Sequence, residues 1–402
     1  MRKILSVLRE IDSPFFYFLL IGFSLLFSFN VLQNYGEQQF IYLAKSFLSG
    51  KLYFIQTPGT WSDTALFKNH YFWPLGPFPA VLLIPFEYLF GLNFRQGYLQ
   101  FILNIINFIL LYKIAQKITS NHMSSLWLSF GFIFSSTYLY IAMIPFSWYF
   151  AQIIGTFFIL LSILEFLGRR RYLLIGIFIA CSTLTRLNLS GVIIFFLIMV
   201  ILAKNKKHLL LNIILLITPL ICSFLLLFFY NYLRFKNIFQ PGYSYQILYL
   251  KELFKNRDFG LWNLIHIPAN IYYLFLKGPD GVFKAGTKVL TLPYIKPDPW
   301  GMSIFLTSPI FIWIFKAPQR ENIVKAATIT SLIMLALILG YYGIGVREYG
   351  YRYAVDFYPF LFILLVFSLK NGVSAFFKIL SVCSFMFNFY LILILLSTRL
   401  VN

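Results

Sequence analysis

QNYGEQQFIYLAKSFLSGKLYFIQTPGTWSDTALFKNHYFWPLGPFPAVLLIP (residues 33–85) follows the first long apolar run of the chain. It is too long for a simple connector between two membrane spans. Phe40, Leu43, Ala44 and Phe47 recur at helical spacing, and Gly50 supplies a stop. This predicts an amphipathic helix lying at a membrane interface. Two carboxylates stand apart from it, Glu37 before and Asp63 after, and a Tyr/Trp/Pro-rich segment leads back into apolar sequence. The remainder of the chain reads as a frame for this stretch.

The composition defines that frame. Of 402 residues, 60% are hydrophobic and 11% charged, with a mean hydropathy of +0.78. Continuous apolar runs long enough for a ~30 Å hydrocarbon layer recur, so the expected class is an all-α polytopic membrane protein. The net charge of +20 would suggest nucleic acid in a soluble chain. Here the basic residues sit between apolar runs, which assigns them to orientation and anionic lipid and leaves no nucleic-acid partner. Cys181, Cys222 and Cys383 all lie inside apolar runs, without disulfide or zinc spacing. The apolar run near the N-terminus continues to about Phe29 without a small-residue cleavage site, so it reads as an uncleaved first helix.

Eleven spans are predicted, near 14–31, 97–117, 123–142, 147–167, 172–187, 189–203, 208–230, 302–316, 326–345, 353–369 and 376–397. With the N-terminus inside, the short basic clusters fall on the cytoplasmic side. These are Arg2, Lys3 and Arg9; Lys113 and Lys117; Arg169–Arg171; Lys204, Lys206 and Lys207; Lys316, Arg320 and Lys325; Lys370 and Lys378. That arrangement requires the segment 79–90, short and containing Pro85 and Glu87, to re-enter rather than span. The whole chain is then one integral membrane domain of the cytoplasmic membrane, with two long extracytoplasmic loops, 32–96 and 231–301. Glu37, Asp63, Glu87, Glu252, Asp258, Asp280, Asp298, Glu348 and Asp356 lie on that outer side. Chemistry that needs carboxylates belongs there.

Glu37 and Asp63 are the candidate bases, and each has a structural alternative. Asn34 and Glu37 have capping-box spacing, and Asp63 could cap a following segment. Arg186, in STLTRLNLS (182–190), carries a charge between two apolar runs and needs an anion. Either a carboxylate such as Asp356 or a lipid phosphate would serve. REYGYRYAVDFYP (347–359) gathers Arg347, Glu348, Arg352, Tyr353 and Asp356 at the outer end of a span. Arg352 suits bidentate phosphate recognition, and pairing with Glu348 or Asp356 is the alternative. His70 and Tyr71, in the aromatic return of the first loop, complete the candidate substrate-binding set with Arg186, Arg347, Arg352 and Tyr353. The sequence contains no DxD motif, no P-loop and no His/carboxylate metal spacing, so no metal or other cofactor is expected. No internal repeat of the kind that builds transporters is visible.

Five segments carry a resemblance to a known superfamily. They are EQQFIYLAKSFLSGKLY (37–53), KNHYFWPLGPFPAVLLIPFEYLFG (68–91), TLTR (183–186), FYNYLRFKNIFQPGYSYQ (229–246) and GYRYAVDFYPFL (350–361). Over most of its length the chain resembles the GT-C integral membrane glycosyltransferases, in particular the family 39-like protein mannosyltransferases and lipid A aminoarabinose transferases. The resemblance implies a GT-C-type helical bundle with interfacial helices in the first external loop. It implies a polyprenyl-phosphate-linked sugar donor and a first-loop carboxylate acting at an external cavity. The acceptor would be a glycan, lipid or protein of the cell envelope, and transfer would proceed by single displacement with inversion. The family pattern places an Asp–Glu pair before the interfacial helix. Here Gly36 stands at the Asp position and Glu37 matches the Glu, which brings Asp63 forward as the substitute. A flippase or transporter of a lipid-linked sugar is the alternative class. It would concentrate its charges near the midplane of the spans, whereas here they collect at outer helix ends and in outer loops.

Overall fold

The computed structural model describes residues 13–203, 207–345 and 348–400. The chain is mostly helical. Among the described residues, six helices are long and apolar enough to cross a membrane: Phe15–Leu32, Gln96–Thr119, Ser147–Phe166, Leu209–Phe235, Asn322–Leu339 and Ala375–Ser397. The other predicted spans are shorter or broken. In chain order the first helices are α1 (Ser13–Phe27), α2 (Gln39–Leu48), α3 (Phe78–Phe90) and α4 (Gln96–Thr119). Then come α5 (His122–Phe134), α6 (Tyr138–Met143), α7 (Ser147–Phe166), α8 (Tyr172–Thr185), α9 (Ile193–Ile201) and α10 (Leu209–Phe235). The predicted span 123–142 is thus two pieces, α5 and α6. The predicted span 302–316 is a single helical turn followed by a 3₁₀ segment, Pro309–Lys316. The predicted span 353–369 opens as 3₁₀ over Arg352–Phe357 before the helix Tyr358–Ser368.

Broken helices inside an apolar bundle need side chains to meet their freed carbonyls, because hydrocarbon offers no hydrogen bonds. A column of amides on α4 and just beyond α1 does this for the segment around α6. Asn30 donates to the Ala142 carbonyl at 2.8 Å, Asn104 to the same carbonyl at 3.0 Å, and Gln100 to Ile141 O at 3.0 Å. Gln96 donates to Pro145 O at 2.5 Å. All four side chains are buried. The close approach of α8 to α10 depends on Gly176, where a Cβ would stand 2.6 Å from Leu216 O. Small residues at such crossings let backbones approach in lipid.

The two long loops meet at one end of the bundle. Asp63 N donates to Ile247 O and Ile247 N returns a bond to Thr64 O, each 2.8 Å. Beyond α2 the first loop forms the hairpin β1 (Ala65–Phe67) and β2 (His70–Phe72). Segment α3 begins and ends at this same end. Gly76 packs on the Leu184 backbone before it, and after it Arg95 donates to Val31 O at 2.5 Å and Gln33 O at 2.8 Å. The stretch 79–90 therefore returns to the face it left, as predicted. Ser147 N bonds Glu37 O, so α7 starts at the loop end, and its 20 residues extend about 30 Å toward Arg169–Arg171.

The helix α2 differs from expectation in its burial. Phe40, Leu43 and Ala44 are buried as the spacing predicts, but so are Gln39 and Ser46. The cause is the rest of the loop, which folds over the polar side. Ser46 Oγ donates to Tyr42 O and accepts from Ile55 N.

Candidate active site

Two cavities adjoin at the loop end and share a wall formed by Trp148, Tyr341 and Tyr353. The first, about 520 Å³, is lined by Glu37, Asp63, Tyr149, Gln246 and Arg352, with Thr60 and Ser62 at its edge. The second, about 440 Å³, has a mainly apolar wall that includes Leu227, Phe228, Leu337 and Ile338, and it contains Arg186, Asn188, Asn231 and Arg234.

Both candidate bases enter the polar cavity, and neither is a cap. Helix α2 starts at Gln39, and its N-cap, Gln38, makes no side-chain capping bond. Asp63 leads into a strand, not a helix. Glu37 is held by its backbone, whose carbonyl accepts from Ser147 N at 3.2 Å and Gln96 Nε2 at 3.3 Å. Gly59, at φ 90°, packs on Gly36, since a Cβ there would lie 2.7 Å from Gly36 O. That close approach ties the Asp63 turn to the Glu37 segment. A Cβ at Gly36 itself would meet nothing within 4 Å, so the position is open.

Asp63 sits at φ 64°, in the left-handed region that Asp tolerates better than most residues. Its backbone is fixed on the second loop through Ile247, and Gln246 Nε2 donates to Oδ1 at 3.1 Å. The Trp148 ring lines the same cavity beside this carboxylate. Burial raises the Asp63 pKa to about 6, and the nearby charge of Glu37 pushes the same way. The Trp148 indole, the Arg352 charge and the Gln246 bond oppose the rise without cancelling it. A carboxylate titrating just below neutral pH is suited to general-base work.

Arg352 is buried and paired. Its Nε donates to Glu348, its Nη1 reaches Gln152 Oε1 at 3.4 Å, and it lies between the rings of Tyr149 (5.2 Å) and Tyr353 (4.5 Å). The internal pairing with Glu348 that the sequence left open is present, and the same side chain still borders the polar cavity. Arg186 meets Asp356 at 2.9 Å, both buried. Asn188 and Gln152 also donate to that carboxylate, at 2.6 and 3.3 Å. The carboxylate partner is therefore the observed one, while Arg186 still lines the apolar cavity with its Nε buried and without a hydrogen bond.

Tyr353 stands in the wall between the cavities. His70 and Tyr71 do not line either one. Strand alternation sends them to opposite sides of the hairpin. His70 stacks on Tyr53 at 4.0 Å and borders a third, separate pocket, while Tyr71 stacks on Trp61 at 4.0 Å, two residues before Asp63. Tyr71 thus supports the Asp63 turn from behind. Arg347 lies outside the described residues.

Three site residues escaped the sequence reading. Arg234 was assigned to the second loop, but α10 continues to Phe235 and carries it inward. It is 5% exposed, bonded to Trp73 O at 2.7 Å and Asn231 Oδ1 at 2.7 Å, and stacked on Tyr230 at 3.9 Å. Among the described residues it has no carboxylate within ion-pair distance. A charge one turn from the end of an apolar run was the available signal. Trp148 and Gln246 carried none, since an aromatic at a helix start and a loop amide are common.

No family model matches the sequence, and no curated protein matches it either. The structure has similar solved relatives. ArnT from Cupriavidus metallidurans, in a crystal structure bound to undecaprenyl phosphate, superposes with a TM-score of 0.52 at 12% identity, covering 89% of this chain and 60% of that one. The oligosaccharyltransferase from Archaeoglobus fulgidus, in its apo form, gives 0.51 at 11% identity, covering 94% of this chain and 55% of that one. This chain therefore spans less than two thirds of the length of either. What it shares with both over most of its own length is the fold, that of a polytopic helical membrane protein.

Proposed function

We propose that the protein is a membrane glycosyltransferase that moves a sugar from a polyprenyl-phosphate donor to a hydroxyl of a cell-envelope acceptor, on the extracytoplasmic side. One observation carries the reading. A carboxylate cavity and an apolar, arginine-bearing cavity meet across a single aromatic wall of Trp148, Tyr341 and Tyr353. A lipid-linked sugar has matching parts, an apolar chain, a phosphate and a sugar. The ArnT neighbour, crystallised with undecaprenyl phosphate, supports that class of donor.

In this scheme the prenyl chain enters beside Leu227 and Leu337, and the phosphate meets Arg234 and Arg186. Arg234 matters most, because a buried guanidinium without a carboxylate is stabilised by an incoming anion. The sugar lies at the aromatic wall and the acceptor in the polar cavity. Asp63 accepts the proton of the acceptor hydroxyl as that oxygen bonds to the anomeric carbon. The bond from the anomeric carbon to the phosphate oxygen breaks, and its electron pair leaves with the lipid phosphate. Fixed guanidinium groups offset the charge that develops there. One displacement inverts the anomeric centre. The scheme gives charge neutralisation to arginines, so it proposes no divalent cation.

The test is transfer from defined polyprenyl-phosphate sugars in nanodiscs, with envelope fractions as acceptors and with EDTA present. Product of inverted anomeric configuration is expected. Translocation of the lipid-linked sugar in liposomes without any transfer would assign the protein to the flippase class instead.

A further inference from the structure

A third pocket of about 330 Å³ lies behind Arg234, away from the two carboxylates. Its rim is basic. Lys51 comes from the segment after α2, Lys68 from the hairpin tip and Lys236 from the end of α10, joined by His70 and floored by Arg234. No Asp or Glu lines it. None of the three lysines is within ion-pair distance of a carboxylate among the described residues.

We infer that this pocket is an anion site for a phosphate group, distinct from the one proposed for the donor. Lys51, Lys68 and Lys236 bring like charges together at one exposed rim, and the buried Arg234 guanidinium beneath them adds to the cost. An anion of two or more charges relieves both. The local backbone is also held against preference. Lys68 and Asn69 form a two-residue turn at φ 48° and 62°, and Lys236 stands at φ 58°. Asn or Gly is the favoured first residue of such a turn, yet a lysine occupies it, with its Nζ 5.6 Å from the ring of Phe67, which also lines the pocket. Phosphate accepts from several donors at once and matches a mixed lysine–arginine pocket. A lipid headgroup and a free phosphate share this chemistry. Arg234 is shared with the proposed donor site, whereas Lys51, Lys68 and Lys236 are not used there, so variants of the lysines alone test this pocket apart from the transferase reading.

The experiment uses the full-length protein and a Lys51→Gln/Lys68→Gln/Lys236→Gln variant, with the corresponding triple Lys→Arg variant as a control that keeps the charge. In one arm the detergent-solubilised proteins are titrated with sodium pyrophosphate at constant ionic strength and followed by melting. In the other they are placed in phosphatidylcholine nanodiscs with or without phosphatidylglycerol, and retained lipid is counted by native mass spectrometry. Each lysine should contribute about fivefold, so the Gln variant should bind about a hundredfold more weakly while the Arg variant binds as wild type. Loss in the nanodisc arm alone identifies a lipid headgroup, and saturable loss in the pyrophosphate arm identifies free phosphate. If the triple variant folds poorly, the single change Lys68→Gln at the exposed tip should still lose about fivefold. Affinities of the Gln variants within twofold of wild type in both arms overturn the proposal.

Discussion

Changing Asp63 to Asn tests the base assignment through two readouts that should move in opposite directions. The ionised Asp63 is held at a cost. Raising its pKa from an ordinary 3.8 to about 6 corresponds to roughly 3 kcal/mol at 25 °C. Linkage fixes the sign: a carboxyl whose folded pKa is raised weakens the fold above that pKa, and the penalty disappears as pH falls below 3.8. Asp63 borders an open cavity, so solvent screening reduces the figure to about 1–3 kcal/mol. Asn removes the charge but keeps an acceptor oxygen for Gln246, which now donates to Oδ1. At pH 7.5 or so the variant should therefore melt at or above the wild-type temperature, by a few degrees. Turnover should fall by ~10²–10⁴-fold, the usual loss for a general base, with donor binding close to normal. Melting curves in detergent and a transfer assay on the same preparations supply both numbers. If Asp63→Asn retains most of its activity while Glu37→Gln is inactive and equally stable, the base is Glu37 and the assignment fails.

Wild-type kcat/KM should decline below about pH 6 as Asp63 takes up a proton, and Glu37→Gln, by removing the neighbouring charge that raises the Asp63 pKa, should move that acid limb to lower pH; an unmoved limb would separate the two carboxylates. Arg352→Ala takes one cationic contact from the buried Glu348 carboxylate, so it should lower the melting temperature; adding Glu348→Gln should restore the melting temperature without restoring transfer, and recovery of both would reduce Arg352 to a structural role. Arg234→Met, which preserves much of the side-chain volume, should lower affinity for a polyprenyl phosphate at least tenfold, measured by lipid titration; unchanged affinity would remove it from the donor site. Single cysteines at positions 63 and 170 should label from opposite sides of the membrane, and labelling from one side only would overturn the topology.

The bundle was legible in the sequence because its determinants are local. An apolar run reports a lipid-facing helix wherever it occurs, and the short basic clusters separate the two ends of the spans. The return of residues 79–90 to its own side followed from the same reasoning, as did the choice of Glu37 and Asp63, the separated carboxylates of one long loop. The partners of those residues had no local signature. Asp63 meets Gln246 across 183 positions, and Arg186 meets Asp356 across 170. Such pairs are chosen by how helices stack and loops cross, which periodicity does not encode. Spacing suggested caps for Glu37 and Asp63, and the tertiary contacts with Ser147 and Ile247 displaced both. Spacing also ended α10 before Arg234, because a charge normally marks the end of a span. The tertiary structure retained it by supplying the Trp73 carbonyl, the Asn231 amide oxygen and the Tyr230 ring, and so placed a buried cation at the wall of the apolar cavity.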